Sequence, residues 1–196
     1  DGALVADVCG VKKTVEEAVY ASPRNYRYIG LHPMAGKETS GISSASAHLF
    51  RGANLVMTVC PQTQESACRE IAEYAKAMGF KRIVTCTAEE HDRKIALTSQ
   101  LAHIVSNAYV KSPEVDGCEG FTGGSFQDMT RIAGVDEIMW SELYLSNREN
   151  LLAELDLLIG HLSEYRKALA DGDEETLRQK LREGRHCRER IRRGND

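Results

Sequence analysis

Residues 83–105 read IVTCTAEEHDRKIALTSQLAHIV, and the periodicity of the chain changes inside them. Ile83 to Cys86 is a short apolar run rich in β-branched residues, the pattern of a buried strand. Thr87-Ala88-Glu89-Glu90 then has the form of a capping box, in which the threonine hydroxyl and the Glu90 carboxylate satisfy free amides at a helix start. From there Ile95, Leu101, Ala102, Val105 and Tyr109 recur at helical spacing, which predicts a helix from Thr87 to Val110. Strand signals lie before this junction, and none follows Cys86. The chain is therefore expected to be α/β over residues 1–87 and all-α over residues 88–196.

Upstream of the junction, Leu55 to Val59 is a strand closed by Pro61. Gln64 to Met78 reads as a helix with Ala67, Ile71, Ala75 and Met78 on one stripe and Gly79 as its stop. Tyr26 to Leu31 is another strand, ended at His32-Pro33 because proline cannot donate to a sheet ladder. Leu4 to Val8 is the first strand, closed by Cys9-Gly10, and Lys12 to Ala21 is a short helix with Val15, Ala18 and Val19 on one side. This order predicts right-handed crossovers and a mainly parallel sheet. His32 then sits at the carboxyl end of a strand, the edge where open α/β sheets bind ligands. The plainer reading is a histidine that caps a strand end.

Downstream, Asp136 to Leu169 carries Trp140, Leu143, Leu151, Leu155, Leu158 and Leu162 in one long helical pattern. A pattern of that length points to packing against something outside its own small domain, with a second copy of the chain as the natural partner. The alternative is two helices broken near Gly160. A charged helix from Glu174 to Arg192 closes the chain. Its basic end, Arg182 to Arg193, is interleaved with Glu183 and Glu189 and reads as a solvated face.

The 196 residues suit one or two domains. A net charge of -4 and a pI near 5.9 give no electrostatic case for a nucleic-acid partner. No apolar run approaches the ~18 residues that span a bilayer. Six cysteines without CxxC spacing argue against a disulfide framework or a zinc site, and for reduced thiols in the cytoplasm. No GxGxxG occurs, and Gly120 to Gly124 lies among helices, so it is no phosphate cradle. Either the chain binds no dinucleotide, or a first βαβ unit lies upstream of Asp1. Four strands with an abrupt start favour the second.

Five stretches carry a resemblance. ADVCGVK (6–12), GLHPMAGKETSG (30–41), SQLAHIVSNA (99–108), GGSFQDMTRIAG (123–134) and Met139-Trp140 together resemble the prephenate dehydrogenase family, in the family's order and over most of the chain. The resemblance implies the C-terminal half of a Rossmann-type parallel sheet followed by a helical dimerisation domain. It implies NAD or NADP as cofactor, prephenate or arogenate as substrate, a homodimer, and tyrosine as a feedback ligand. The implied reaction is oxidative decarboxylation of prephenate to 4-hydroxyphenylpyruvate in tyrosine biosynthesis. A chain without the glycine-rich unit is expected to be inactive alone.

By the same resemblance His32 handles the hydroxyl proton, and Arg131 binds a substrate carboxylate with the fixed two-pronged donor that a guanidinium offers. Glu38 and Asp128 match acidic positions around that arginine. His103 matches a second active-site histidine in contact with substrate or tyrosine, Gly124 a glycine whose backbone approaches substrate, and Trp140 an aromatic that reaches a neighbouring subunit's site. Cys9 and Gly10 fall at the cofactor. Three positions depart from the family: Gly10 stands where a serine is common, Gln127 where an arginine is, and Gln100 where some members have another histidine. His48, His91, His161 and His186 match no motif. A reading of a different class is a non-catalytic dimerisation or tyrosine-binding remnant.

Overall fold

The structure, a computed structural model, describes residues 2–36 and 41–195. Four strands, β1 (Leu4–Asp7), β2 (Arg27–Pro33), β3 (Asn54–Thr58) and β4 (Arg82–Cys86), form one sheet in the order β1-β2-β3-β4. Helix α1 (Lys13–Tyr20) joins β1 to β2, and α2 (Glu65–Ala77) joins β3 to β4. Both of those pairs are parallel, Ala6 lying opposite Ile29 and Val56 opposite Val84.

The sheet is mainly parallel, as expected, and the middle pair is the exception. β2 and β3 are antiparallel, with His32 opposite Val56. A parallel neighbour needs a crossover, usually a helix. Between β2 and β3 the described residues form only a single 3₁₀ turn, Ile42–Ser44, so the chain returns in the opposite sense. The sheet is thus two parallel βαβ pairs set side by side in opposite directions.

Ile29, Leu31, Leu55, Met57, Ile71 and Ala75 form the buried core between sheet and α2, with Cys68, Phe80 and Ile83 packed on it. Ala67, Ile71 and Ala75 are buried as their stripe predicts, but Met78 is 43% exposed. It lies at the C-cap of α2, beyond the last residue facing the sheet, and Gly79 with φ of 85° turns the chain away. Gly30, in the middle of β2, has no room for a side chain: a Cβ there would lie 2.3 Å from Thr58 Oγ1 and 3.2 Å from Lys12 Cδ.

After β4 no further strand occurs among the described residues, and the α-helices are α3 (Ala88–Ile95), α4 (Ala102–Tyr109), α5 (Gly124–Thr130), α6 (Glu137–Ser146), α7 (Arg148–Asp171) and α8 (Glu174–Asn195). Thr87 Oγ1 accepts from the Glu90 amide at 3.1 Å, so the predicted cap starts α3. Residues Ala96–Leu101, between α3 and α4, form a wider π-helical stretch rather than a continuous α-helix. The long leucine pattern also divides, at Asn147 and not at Gly160. Gly160 costs only about 1 kcal/mol against alanine in a helix interior, which a 24-residue helix absorbs.

Two compact units divide at Leu151/Leu152. The second, residues 152–196, consists of the end of α7 and all of α8, joined by Gly172 with φ of 65°. Asp173 caps α8, its carboxylate accepting from the Thr176 amide at 3.0 Å. Within this unit Lys180 pairs with Glu164 at 2.8 Å.

Candidate active site

His32 stands at the carboxyl end of β2. Gly10 lies just beyond the carboxyl end of the adjacent, parallel β1, so both occupy the same edge of the sheet. The π-helical stretch, α4 and α6 wall off the space in front of that edge. The result is a cavity of about 330 Å³ lined by Gly10, His32, Met34, Gln100, His103 and Trp140, among others. His32, His103, Trp140 and Gly10, which the sequence singled out from four separate stretches, therefore share one cavity.

Behind His32 runs a chain of hydrogen bonds that the sequence did not reveal. His32 Nδ1 lies 2.8 Å from His91 Nε2, and His91 Nδ1 lies 2.7 Å from Asp92 Oδ1. Asp92 Oδ1 also accepts from the Lys12 amide at 2.8 Å, and Oδ2 from the Lys13 amide at 2.9 Å. These are the first amides of α1, whose own N-cap, Lys12, supplies no side-chain acceptor. A carboxylate from α3 thus caps α1, where the helix dipole favours negative charge. His91 and Asp92 are each 2% exposed.

Beneath this chain lies a buried ion pair. Lys12 is fully buried and its Nζ pairs with Asp7 Oδ1, while Tyr28 donates its hydroxyl to Asp7 Oδ2 at 2.6 Å. Burial, and then the neighbouring Asp7, push the Tyr28 hydroxyl pKa up. For His32, burial first, and then His91 and Lys12, push the imidazole down to about 4. It is therefore neutral at pH 7, the form in which a histidine can accept a proton.

His103 is fixed from the other side. Its Nδ1 lies 2.9 Å from the carbonyl oxygen of Ile132, which can only accept, so Nδ1 carries the hydrogen. Its ring packs against Trp140 with the centroids 4.0 Å apart and the planes tilted by 43°. Ser106 Oγ donates to Met129 O at 2.6 Å and Asn107 Nδ2 to Ala133 O at 3.1 Å, tying α4 to the end of α5 and to the segment that follows it. Gln100, fully buried, donates to Leu143 O at 3.2 Å and accepts from Asn147 Nδ2 at 2.8 Å. Asn147 Nδ2 is also 2.8 Å from Asp92 O, and this buried network is what ends α6.

The remaining candidates stand apart. Arg131, at the C-cap of α5, is exposed and one residue from the Ile132 carbonyl that holds His103; it does not line the cavity. Asp128 and Gly124 are exposed on α5, and a Cβ at Gly124 would meet nothing within 4 Å. Packing within the chain therefore does not require a glycine at 124. Glu38 lies outside the described residues. Cys9 is exposed beside the cavity, and its thiol is pushed up by burial and then by Asp7, so it stays protonated. At Gly10 an added Cβ would touch only the tip of Leu143, at 3.4 Å.

A neutral imidazole thus faces a cavity at the carboxyl edge of the sheet, the edge where open α/β sheets bind ligands. Residues 1–84 match the profile of the prephenate dehydrogenase nucleotide-binding domain, and residues 87–183 that of the prephenate dehydrogenase dimerization domain. The chain is 31% identical over 98% of its length to a cyclohexadienyl dehydrogenase of Zymomonas mobilis, of which it covers 68%. It is 30% identical over 89% of its length to a prephenate dehydrogenase of Bacillus subtilis, of which it covers 48%. Among solved structures, the Aquifex aeolicus prephenate dehydrogenase in complex with hydroxyphenyl propionate and NAD+ superposes with a TM-score of 0.80 at 29% identity, over 96% of this chain and 67% of that one. The chain belongs to the prephenate dehydrogenase family. It spans between about half and two thirds of the length of these relatives.

Proposed function

We propose that the protein oxidises and decarboxylates prephenate to 4-hydroxyphenylpyruvate with NAD, and that His32 accepts the proton of the ring hydroxyl. The observation that carries this reading is a neutral His32 in the wall of a cavity it shares with His103. As the hydroxyl-bearing carbon is oxidised, its O–H bond breaks and the proton passes to the imidazole. Carbon dioxide then leaves from the ring, and aromatisation makes the overall step strongly downhill. Bound NAD supplies the hydride acceptor.

The residues present fit one end of that cofactor. The bare backbone at Gly10, with only Leu143 opposite, leaves a flat ring room to lie against the carboxyl ends of β1 and β2. The glycine amides that cradle a pyrophosphate have no counterpart in this sequence, so the chain alone is expected to bind NAD weakly. The NAD+ in the Aquifex structure supports the choice of cofactor. Arg131, with Asp128 three positions before it and Glu38 from the distant segment after β2, is proposed to meet a substrate carboxylate.

The dimerization-domain match over residues 87–183 supports a homodimer. So do the exposed apolar side chains of α6 and α7, Leu145 at 71% and Leu169 at 67% among them. All six cysteines are unpaired, as suits the cytoplasm, and no helix among the described residues is long and apolar enough to cross a membrane. The name cyclohexadienyl dehydrogenase specifies the ring and not the side chain, so arogenate is the second substrate to test. The assay is NADH formation by the full-length protein with each substrate, together with carbon dioxide release. Turnover of arogenate alone would move the assignment to that substrate. Turnover of neither would leave the remnant reading standing.

A further inference from the structure

We propose that His91 and Asp92 act as positioning residues that hold His32 in a single tautomer, hydrogen on Nδ1, and so make Nε2 the nitrogen that receives the substrate's proton. The inference rests on the reading of His32 as the proton acceptor. It follows from donor and acceptor identities read outward from the backbone. The amides of Lys12 and Lys13 can only donate, and both are bound to the Asp92 carboxylate. An ionised carboxylate can only accept, so the ring nitrogen facing it, His91 Nδ1, must carry a hydrogen. A His91 ring whose single hydrogen sits on Nδ1 has a bare Nε2, and the nitrogen 2.8 Å from it, His32 Nδ1, is then the donor. His32 is neutral, so its one hydrogen-free nitrogen is Nε2. Nδ1 is committed to a buried partner, and Nε2 is the nitrogen left to serve the cavity.

The balance of the step is simple. The substrate O–H bond breaks, its proton forms an N–H bond at His32 Nε2, and the oxygen keeps the electron pair that becomes part of the new carbonyl. His32 becomes an imidazolium whose Nδ1–H still points at His91. The Asp92 charge, delivered through that ring, stabilises the cation as it forms. No hydroxyl at position 10 is needed for this orientation, which fits a chain with glycine there.

The test uses the full-length protein labelled with ¹⁵N at histidine. Long-range imidazole spectra at pH 7 should show His32 with Nδ1 protonated and Nε2 bare. His91→Leu removes the acceptor, so His32 should populate the Nε2–H form. The proportion of active enzyme then falls, and kcat should drop by roughly 10–10³-fold with KM within about twofold, since a wrong tautomer costs up to ~10⁴ in the serine-protease triad. His91→Gln keeps a side-chain carbonyl that can accept from Nδ1–H and should recover most of the lost rate, which a purely structural role for the ring would not predict. A wild-type His32 found as the Nε2–H tautomer would overturn the proposal. So would a His91→Leu enzyme with normal kcat, or a folded His91→Gln enzyme as slow as His91→Leu. If His91→Leu fails to fold, the wild-type spectrum and His91→Gln decide. Near-normal kcat in His32→Asn would instead sink the proton-acceptor reading, leaving the tautomer result to stand or fall by its own spectrum.

Discussion

The two sides of the site are built in opposite ways. On the side of the proposed proton acceptor each group is tied, link by link, to the backbone through the buried His91 and Asp92: His32 to His91, His91 to Asp92, Asp92 to the Lys12 and Lys13 amides. On the anion side Arg131, Asp128 and Gly124 are exposed on a helix of seven residues, outside the cavity lining. The geometry around the proposed proton acceptor is therefore part of the folded core. The residues proposed to meet a carboxylate lie at the surface, where solvent screens each charge.

That contrast is tested first by His32→Asn, which keeps polarity and reach but cannot take the proton. Its kcat should fall by ~10²–10⁴, equivalent to about 3–5 kcal/mol, with thermal stability nearly intact in steady-state and melting measurements. Asp92→Ala attacks the same side at its root. It leaves two amide donors and the His91 N–H without an acceptor, and should lower unfolding free energy by roughly 2–5 kcal/mol in denaturant titration. A melting point equal to wild type would show that the chain of bonds is not structural.

Arg131→Ala should behave differently. KM for prephenate should rise by ~10–10²-fold, with NAD affinity unchanged, because the charge it meets is present before reaction. A fall in kcat with KM unchanged would erase the distinction between the two sides. A smaller effect is acid sensitivity. Burial holds His32 near 4 when folded against an ordinary 6.5. Below 6.5 the unfolded chain takes up a proton that the folded chain refuses, so stability is full above pH 6.5 and falls as pH drops towards about 4. Denaturation of wild type and His32→Asn across that window should show the wild type alone losing this component. The smallest effect belongs to Gly10→Ser. The new Cβ fits against Leu143 at 3.4 Å, and His32 Nδ1 is already engaged, so kcat should change by less than about threefold.

Much of this was legible in the sequence, because it depended on local pattern. The strand ends at Pro33 and Cys86, the cap at Thr87 and the stripe of α2 all depend on neighbours within a few residues. What escaped depended on distant partners. Nothing near Asn147 marks it as a helix end; its side chain stops α6 by reaching Asp92 and Gln100, 55 and 47 positions away. The antiparallel β2–β3 pair goes with a connection whose described residues hold no α-helix, and a strand pattern does not encode direction. His91 had a visible signal that motif matching passed over. Ala88, His91, Asp92 and Ile95 fall at i, i+3, i+4 and i+7, so a histidine and an aspartate occupy a helix's buried stripe. Two polar residues in such positions must be satisfied by each other or by partners elsewhere.

The wide stretch at Ala96–Leu101 sets the angular phase between His91 and His103. Twelve residues of uninterrupted α-helix would place their side chains about 120° apart around the axis, at about 100° per residue. A π-helical turn absorbs about one residue's worth of rotation, roughly 100°, and brings the two within about 20° of each other. Both imidazoles therefore issue from one side of the helix, His91 to hold His32 from behind and His103 to line the cavity in front of it. Loss of a single residue within Ala96–Leu101 would return the helix to an ordinary pitch and leave that alignment intact. Loss of two would swing His103 out of the cavity.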